Sequence, residues 1–352
     1  MRNTTLSALV AGAFAVGSSA YAGPLTFDLD GPGTPGNVIT AQSLDWAQTS
    51  FLAMGGNTAI NNFAAGTGPT TFDVLTHAKL TAYNDAAGVT HSLPSSFLGE
   101  ITVVSRFTER VTAVGADFAN FRTTGAGWVE IYYSASNSVN LTGSNFDDGR
   151  VIMRANGVGI VGGSFAIDNF TPVALDGFGT DDYNAGPDGS ATGQKSISGF
   201  GAQGAVSFGS TAIVVDTNFL KTAIGDFSLF FNNISIGLPY QTVDPSDCFN
   251  PNQSARTAAE IAGGITNGGL ATQCLNNHVD DTYAANVIAN GQDGGYVPVV
   301  GPVNGLLNPN DADFVAQTDF NSRVNGTPEP GTLALLGLAL AGLGLTTVRR
   351  RK

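Results

Sequence analysis

Charge is scarce in this chain. Only 12% of its 352 residues are Asp, Glu, Lys or Arg, about half the share usual in soluble proteins. Cations are scarcer still, 15 against 28 acids, for a net charge of −13. Five of the cations (Arg2, Arg349, Arg350, Arg351, Lys352) lie at the two ends, so the central part holds ten against 28 acids, Glu329 included, a net −18. Binding to phosphate backbones needs clustered Lys and Arg, so nucleic acid is excluded as a partner. There are three histidines, His77, His91 and His278, with no H-E-x-x-H and no paired ligand spacing, and no serine lies in G-x-S-x-G. The acidity itself serves colloidal solubility, or cation bridging in an extracellular matrix.

Cys248 and Cys274 are the only cysteines. In an oxidising compartment such a pair is most simply a disulfide. It closes a loop of about 26 residues and contributes roughly 3 kcal/mol. A catalytic thiol is the poorer reading, because His278 stands only four residues past Cys274. Two acidic clusters, Asp28 with Asp30 and Asp181, Asp182, Asn184 with Asp188, hold oxygen ligands at short spacing. Neither has the third ligand, Gly and distal Glu of a calcium loop, so both read as solvated turns. The expectation is therefore no cofactor, with Ca²⁺ as the one candidate. Two matches to G-x-G-x-x-G, at Gly157, Gly159, Gly162 and at Gly199, Gly201, Gly204, follow from a glycine count of 46, and neither opens a helix. They read as turns and close strand packing.

What is present is alternation. Short apolar and polar steps run between Gly-, Asn- and Asp-rich breaks, the pattern of an all-β protein: a sandwich-like or irregular β domain with long loops. Candidate strands are 72–82, 101–113, 128–134, 151–155, 164–168, 205–215 and 227–236. In "ITVVSRFTERVTA", Ile101, Val103, Ser105, Phe107, Glu109 and Val111 share one face, and Thr102, Arg106, Thr108, Arg110 and Thr112 form a wet one. The only helical stretch is 254–263, and 239–310 reads as a long loop region tied by the disulfide.

Both ends carry addresses. Arg2, the apolar run 6–16 and the small-x-small site Ala20-Tyr21-Ala22 before Gly23 make residues 1–22 a cleavable secretory signal peptide. At the other end Pro328-Glu329-Pro330 precedes an apolar run from Thr332 to Val348, then Arg349, Arg350, Arg351 and Lys352. As a helix that run is about 26 Å long, enough to span a bilayer core of about 30 Å. The basic cluster stays cytoplasmic and places everything before Thr332 outside. Pro328 and Pro330 keep Glu329 in a non-helical, accessible segment at the membrane surface. Hence 23–326 is an extracellular β-rich domain and 327–352 a removable tail.

The order Pro-Glu-Pro, span, basic cluster resembles the PEP-CTERM sorting signal of exopolysaccharide-producing Gram-negative bacteria. The resemblance implies processing by the membrane enzyme exosortase, an inner-membrane intermediate and delivery to the cell surface or matrix. Further stretches, "LGEITVVSRFTERV", "WVEIYYSASNSVNLTGSNFDDGRVIMRANG", "LPYQTVDPSDCFN" and "GPVNGLLNPNDADFVAQTDFNSRVNGTPEPGT", are similar to blocks of the flocculation-associated PEP-CTERM proteins, although "LLNPNDADF" is longer than the family's connection there. That likeness implies a non-enzymatic part in cell aggregation with extracellular polysaccharide, and it carries over no catalytic residues. A surface of Asn, Thr, Ser and Gly with exposed aromatics such as Tyr132 and Tyr133, one of which should face the core, suits hydrogen bonding and stacking on sugars in that role. Two other readings stand beside it: a secreted lectin-like module with a defined sugar site, and a secreted hydrolase with a facing carboxylate pair.

Overall fold

The structure is a computed structural model that describes residues 24–32, 36–134, 138, 146, 149–174, 195–236 and 314–326. The all-β expectation holds. Fourteen strands and one helix are described: β1 (Leu25–Asp28), β2 (Val38–Ala41), β3 (Ser43–Trp46), β4 (Thr49–Met54), α1 (Gly56–Ala65), β5 (Thr71–Asn84), β6 (Thr90–Ser92), β7 (Glu100–Val114), β8 (Phe118–Ser134), β9 (Arg150–Val158), β10 (Gly162–Ala174), β11 (Lys195–Gln203), β12 (Val206–Val215), β13 (Ile224–Ile236) and β14 (Phe314–Gly326).

Long strands form where β-branched and aromatic residues alternate with polar ones. The large sheet they build closes on itself. β14 pairs with β13 on one side and with β3 and β4, end to end, on the other; β5, β7 and β8 follow. From β8 two routes return to β13. Trp128–Tyr133 pairs with β9, which leads through β12, and Phe118–Arg122 pairs with β10, which leads through β11. A closed circuit leaves few strand edges unpaired.

Inward residues fill the ring. Phe231 of β13 meets Phe51, Phe107 and Phe320 at centroid distances of 5.8, 6.0 and 5.3 Å. Trp46 stacks on Phe320 and donates from Nε1 to Ser322 Oγ at 3.0 Å. Each such buried aromatic contributes about 2 kcal/mol. The small β1–β2 sheet adds Leu25, Phe27 and Ile39 to the same core. Gly127 on β8 permits a close crossing: a Cβ there would stand 2.7 Å from the Arg106 carbonyl oxygen and 2.5 Å from Val158.

Three expectations change. The helix α1, "GNTAINNFAA", was not anticipated; left-handed glycines bound it, Gly55 at φ 77° and Gly66 at φ 69°, and the Gly66 N–H closes on Asn62 and Phe63 carbonyls. The supposedly wet face of 101–113 is dry at its start, where Thr102 is buried and donates to the Phe146 carbonyl. The strand expected at 128–134 begins ten residues earlier. The candidate helix 254–263 and the segment 239–310 lie outside the described residues.

Candidate functional site

Across the outer face of β5, β7, β8, β9 and β12, the residues His77, Val104, Glu130, Arg154 and Val214 stand opposite one another in a single row. Side chains directly opposed across strands share a face. Beside that row lie Lys79, Thr102 and Tyr132. This is the densest group of titratable side chains among the described residues, and it is covered. Glu130 is 0% exposed and accepts a short hydrogen bond from the Tyr132 hydroxyl, with Arg154 Nε 3.9 Å away. Glu100 sits at one edge, where Lys79 Nζ (2.9 Å), Ser138 N (2.7 Å) and Ser138 Oγ (3.2 Å) converge on its carboxylate. Burial pushes the His77 pKa down to about 3, and the ring packs on Phe146 with centroids 4.0 Å apart. Each carboxylate here is neutralised by donors from neighbouring strands. Chemically, the arrangement ties five strands and Phe146 together, with Glu130 and His77 buried beneath it.

The remaining titratable groups are scattered. Arg150 pairs with buried Asp216 and lies over Phe219 at 5.3 Å; Arg106 pairs with Asp73 at 2.5 Å. His91 donates from Nε2 to Asp85 at 2.8 Å, and that hydrogen bond holds the Asp85 carboxyl below its usual range. Asp30 accepts from the Asn37 amide at 2.7 Å and Asp28 pairs with Lys221 at 3.3 Å, so this proposed turn is a hydrogen-bonded one. No cluster of three metal-ligating side chains occurs among the described residues. Asp181, Asp182, Asn184, Asp188 and His278 lie outside them.

The tyrosines correct one expectation. Tyr132 is fully buried by its bond to Glu130 and its packing on Val151, and Tyr133 is half-buried against Phe97 and Phe219, so neither offers a ring to a sugar. Among the described residues the exposed phenyl rings are Phe118 and Phe200, 42% and 57% accessible. Neither strand bearing them was anticipated at those positions. Gly157, Gly159, Gly162 and Gly204 fall at strand ends and hairpins, whereas Gly199 and Gly201 lie inside β11, packed closely between β10 and β13; a Cβ on Gly199 would stand 2.5 Å from the Phe165 ring.

The signal-peptide site Ala20, Ala22 and Gly23, the pair Cys248 and Cys274, and the tail Pro328, Glu329, Pro330 and Arg349 to Arg351 all lie outside the described residues. No described helix is long and apolar enough to cross a membrane. The tail is decided by comparison instead: residues 327–352 match the family of the PEP-CTERM protein-sorting motif. The chain carries a PEP-CTERM sorting signal. No curated protein and no solved structure matches it. A PEP-CTERM signal marks an exported protein for exosortase and directs it to the membrane or surface. In this PEP-CTERM protein the motif begins one residue after Gly326, the last residue of β14. That strand pairs with β13, β3 and β4 and sends Phe320 into the aromatic core. The address is thus attached to the strand that closes the ring.

Proposed function

We propose that this PEP-CTERM protein is a structural component of the cell surface and extracellular matrix that promotes cell aggregation together with exopolysaccharide. It works without catalysis and without a cofactor. The observation that carries the reading is the junction at Gly326. A closed β domain runs directly into a sorting signal, so processing near Pro328-Glu329-Pro330 delivers the ring whole. The similarity of four internal blocks to flocculation-associated proteins supports the same role. Adhesion then arises from many weak contacts by many copies.

The test is replacement of Pro328-Glu329-Pro330 by three alanines in a flocculating strain. Export continues, because the N-terminal signal and the apolar run are intact, but the protein stays in the inner membrane with Arg349 to Lys352 inside. Flocs fall to the level of a deletion strain. Mutant protein released like wild type, with flocs intact, contradicts the proposal.

A further inference from the structure

Phe118 of β8, Ala166 of β10 and Phe200 of β11 are paired in one register, Phe118 with Ala166 and Ala166 with Phe200. The three side chains therefore share the outer face, since Ala119 and Phe165 beside them point into the core. Strands lie about 4.8 Å apart, so the two rings flank Ala166 at a separation of about 10 Å. Phe118 is held down by the β7–β8 turn, where Gly115 has no Cβ to meet its ring. Two residues along each strand runs a second row, Asn120, Ser164 and Ala202. The result is a shallow trough: two aromatic walls, a methyl floor, and a neutral amide and hydroxyl alongside.

Three occupants compete for such a strip, and its position and size decide between them. Ser235 of β13 pairs with Phe200 and with Gln317 of β14, nine residues from Gly326. At about 3.3 Å per residue the row lies roughly 30 Å along the sheet from the end that joins the sorting signal. It therefore lies at the end of β14 remote from the junction with that signal. Half-exposed phenylalanines present on the order of 100 Å² each, far below the roughly 800 Å² per partner of a stable protein interface. A narrow polymer with apolar ring faces and hydroxyl edges needs no more than this, and it meets no cation here except Arg122 at the far end of the strip.

We propose that Phe118 and Phe200 form a stacking platform on which an extended polysaccharide chain lies across β8, β10 and β11. Two sugar rings present their C–H faces to the two phenyl faces, and their hydroxyls hydrogen-bond to Asn120 and Ser164. This rests on the reading above that polysaccharide is the partner, and it assigns the contact to one row. The platform is shallow and open at both ends, so each copy binds weakly and slides, which suits adhesion by number.

The test is affinity electrophoresis of the exported, processed protein through gels containing exopolysaccharide recovered from the same cells. Wild type is retarded, and Phe118→Ser with Phe200→Ser lowers apparent affinity about tenfold through loss of two ring contacts. Phe200→Tyr, which keeps the ring, and Leu98→Ser, exposed but off the row, bind like wild type. Ala166→Lys, which leaves both rings and fills the trough, weakens binding as the double change does, and it decides the matter should the double variant fail to fold. Retardation of wild type that survives both the paired serines and Ala166→Lys overturns the platform but leaves the polysaccharide reading standing. No retardation of wild type overturns both. Wild type that is a dimer and becomes a monomer on the paired serines, with no change in retardation, replaces the sugar by a second copy of the chain.

Discussion

The inside of the ring and its covered outer face both bury a titratable group, and the two respond to pH in opposite senses. Glu109 faces inward on β7, two residues along from Phe107, and is 2% exposed. Loss of water pushes its pKa up to about 8, with only the Gln203 side chain acting the other way. His77 faces outward on the neighbouring β5 and lies under Phe146, where the same loss of water pushes its pKa down to about 3. Both groups are therefore neutral at neutral pH. The outer row also holds Glu130 and Glu100, equally buried, yet these are met by Tyr132, Arg154, Lys79 and Ser138. Depth of burial is the same in the two regions; the supply of donors from adjacent strands is what differs.

The largest effects follow from that contrast. Unfolded Glu109 ionises from pH 4.5 upward while the folded chain keeps its proton until about 8. Stability therefore falls as pH rises through this window, by up to about 5 kcal/mol at 1.36 kcal/mol per unit. Glu109→Gln removes that slope, so urea midpoints at pH 8 rise above wild type while those at pH 4.5 agree. Equal midpoints at pH 8 break the comparison. His77 gives the mirror image: the unfolded chain binds a proton below pH 6.5 and the folded one does not until about 3. Stability is full above pH 6.5 and is lost as pH falls, again by up to about 5 kcal/mol. In His77→Phe the stability difference from wild type shifts in the variant's favour between pH 7 and pH 3. A difference that does not change with pH shows that His77 binds its proton equally well folded and unfolded.

Glu130→Ala is expected to cost about 3 kcal/mol at neutral pH, because it leaves the buried Tyr132 hydroxyl without its acceptor and removes the carboxylate facing Arg154. Guanidinium unfolding reads this directly, and a cost below that of an exposed Asp168→Ala control sinks the idea that the outer row is a lock. The smallest expected effect lies at the helix end. Gly66→Ala forces a side chain into the left-handed region and costs about 1 kcal/mol, whereas Gly68→Ala has open space around it.

Sequence alone was enough to recognise β5, β7 and β13, because alternation there is strong and β-branched. The first half of β8, "FANFRTTGAG", is small and glycine-rich, and it is a strand only because β7 and β10 flank it. The helix α1 lacks charged residues and side-chain caps; it is made by two glycines at its ends and by Ala59 and Ile60 packing on the core. The outer row could not be read in advance, since His77, Glu130 and Arg154 are 53 and 24 residues apart along the chain and only strand register joins them. The Phe118 and Phe200 pair escaped for the same reason. The tail was fully legible, because a sorting address is linear and owes nothing to the fold.

The claim most worth testing is that a whole ring is released from its address close to Gly326. Trypsin cuts after Arg323, so protein recovered outside the inner membrane yields a C-terminal peptide that begins at Val324 and can be sequenced by mass spectrometry. Ending within residues 327–331 is the expected result, with Gly23 as the first residue at the other end and no free thiol at Cys248 or Cys274. A peptide that runs from Val324 through the apolar segment to Arg349 contradicts it.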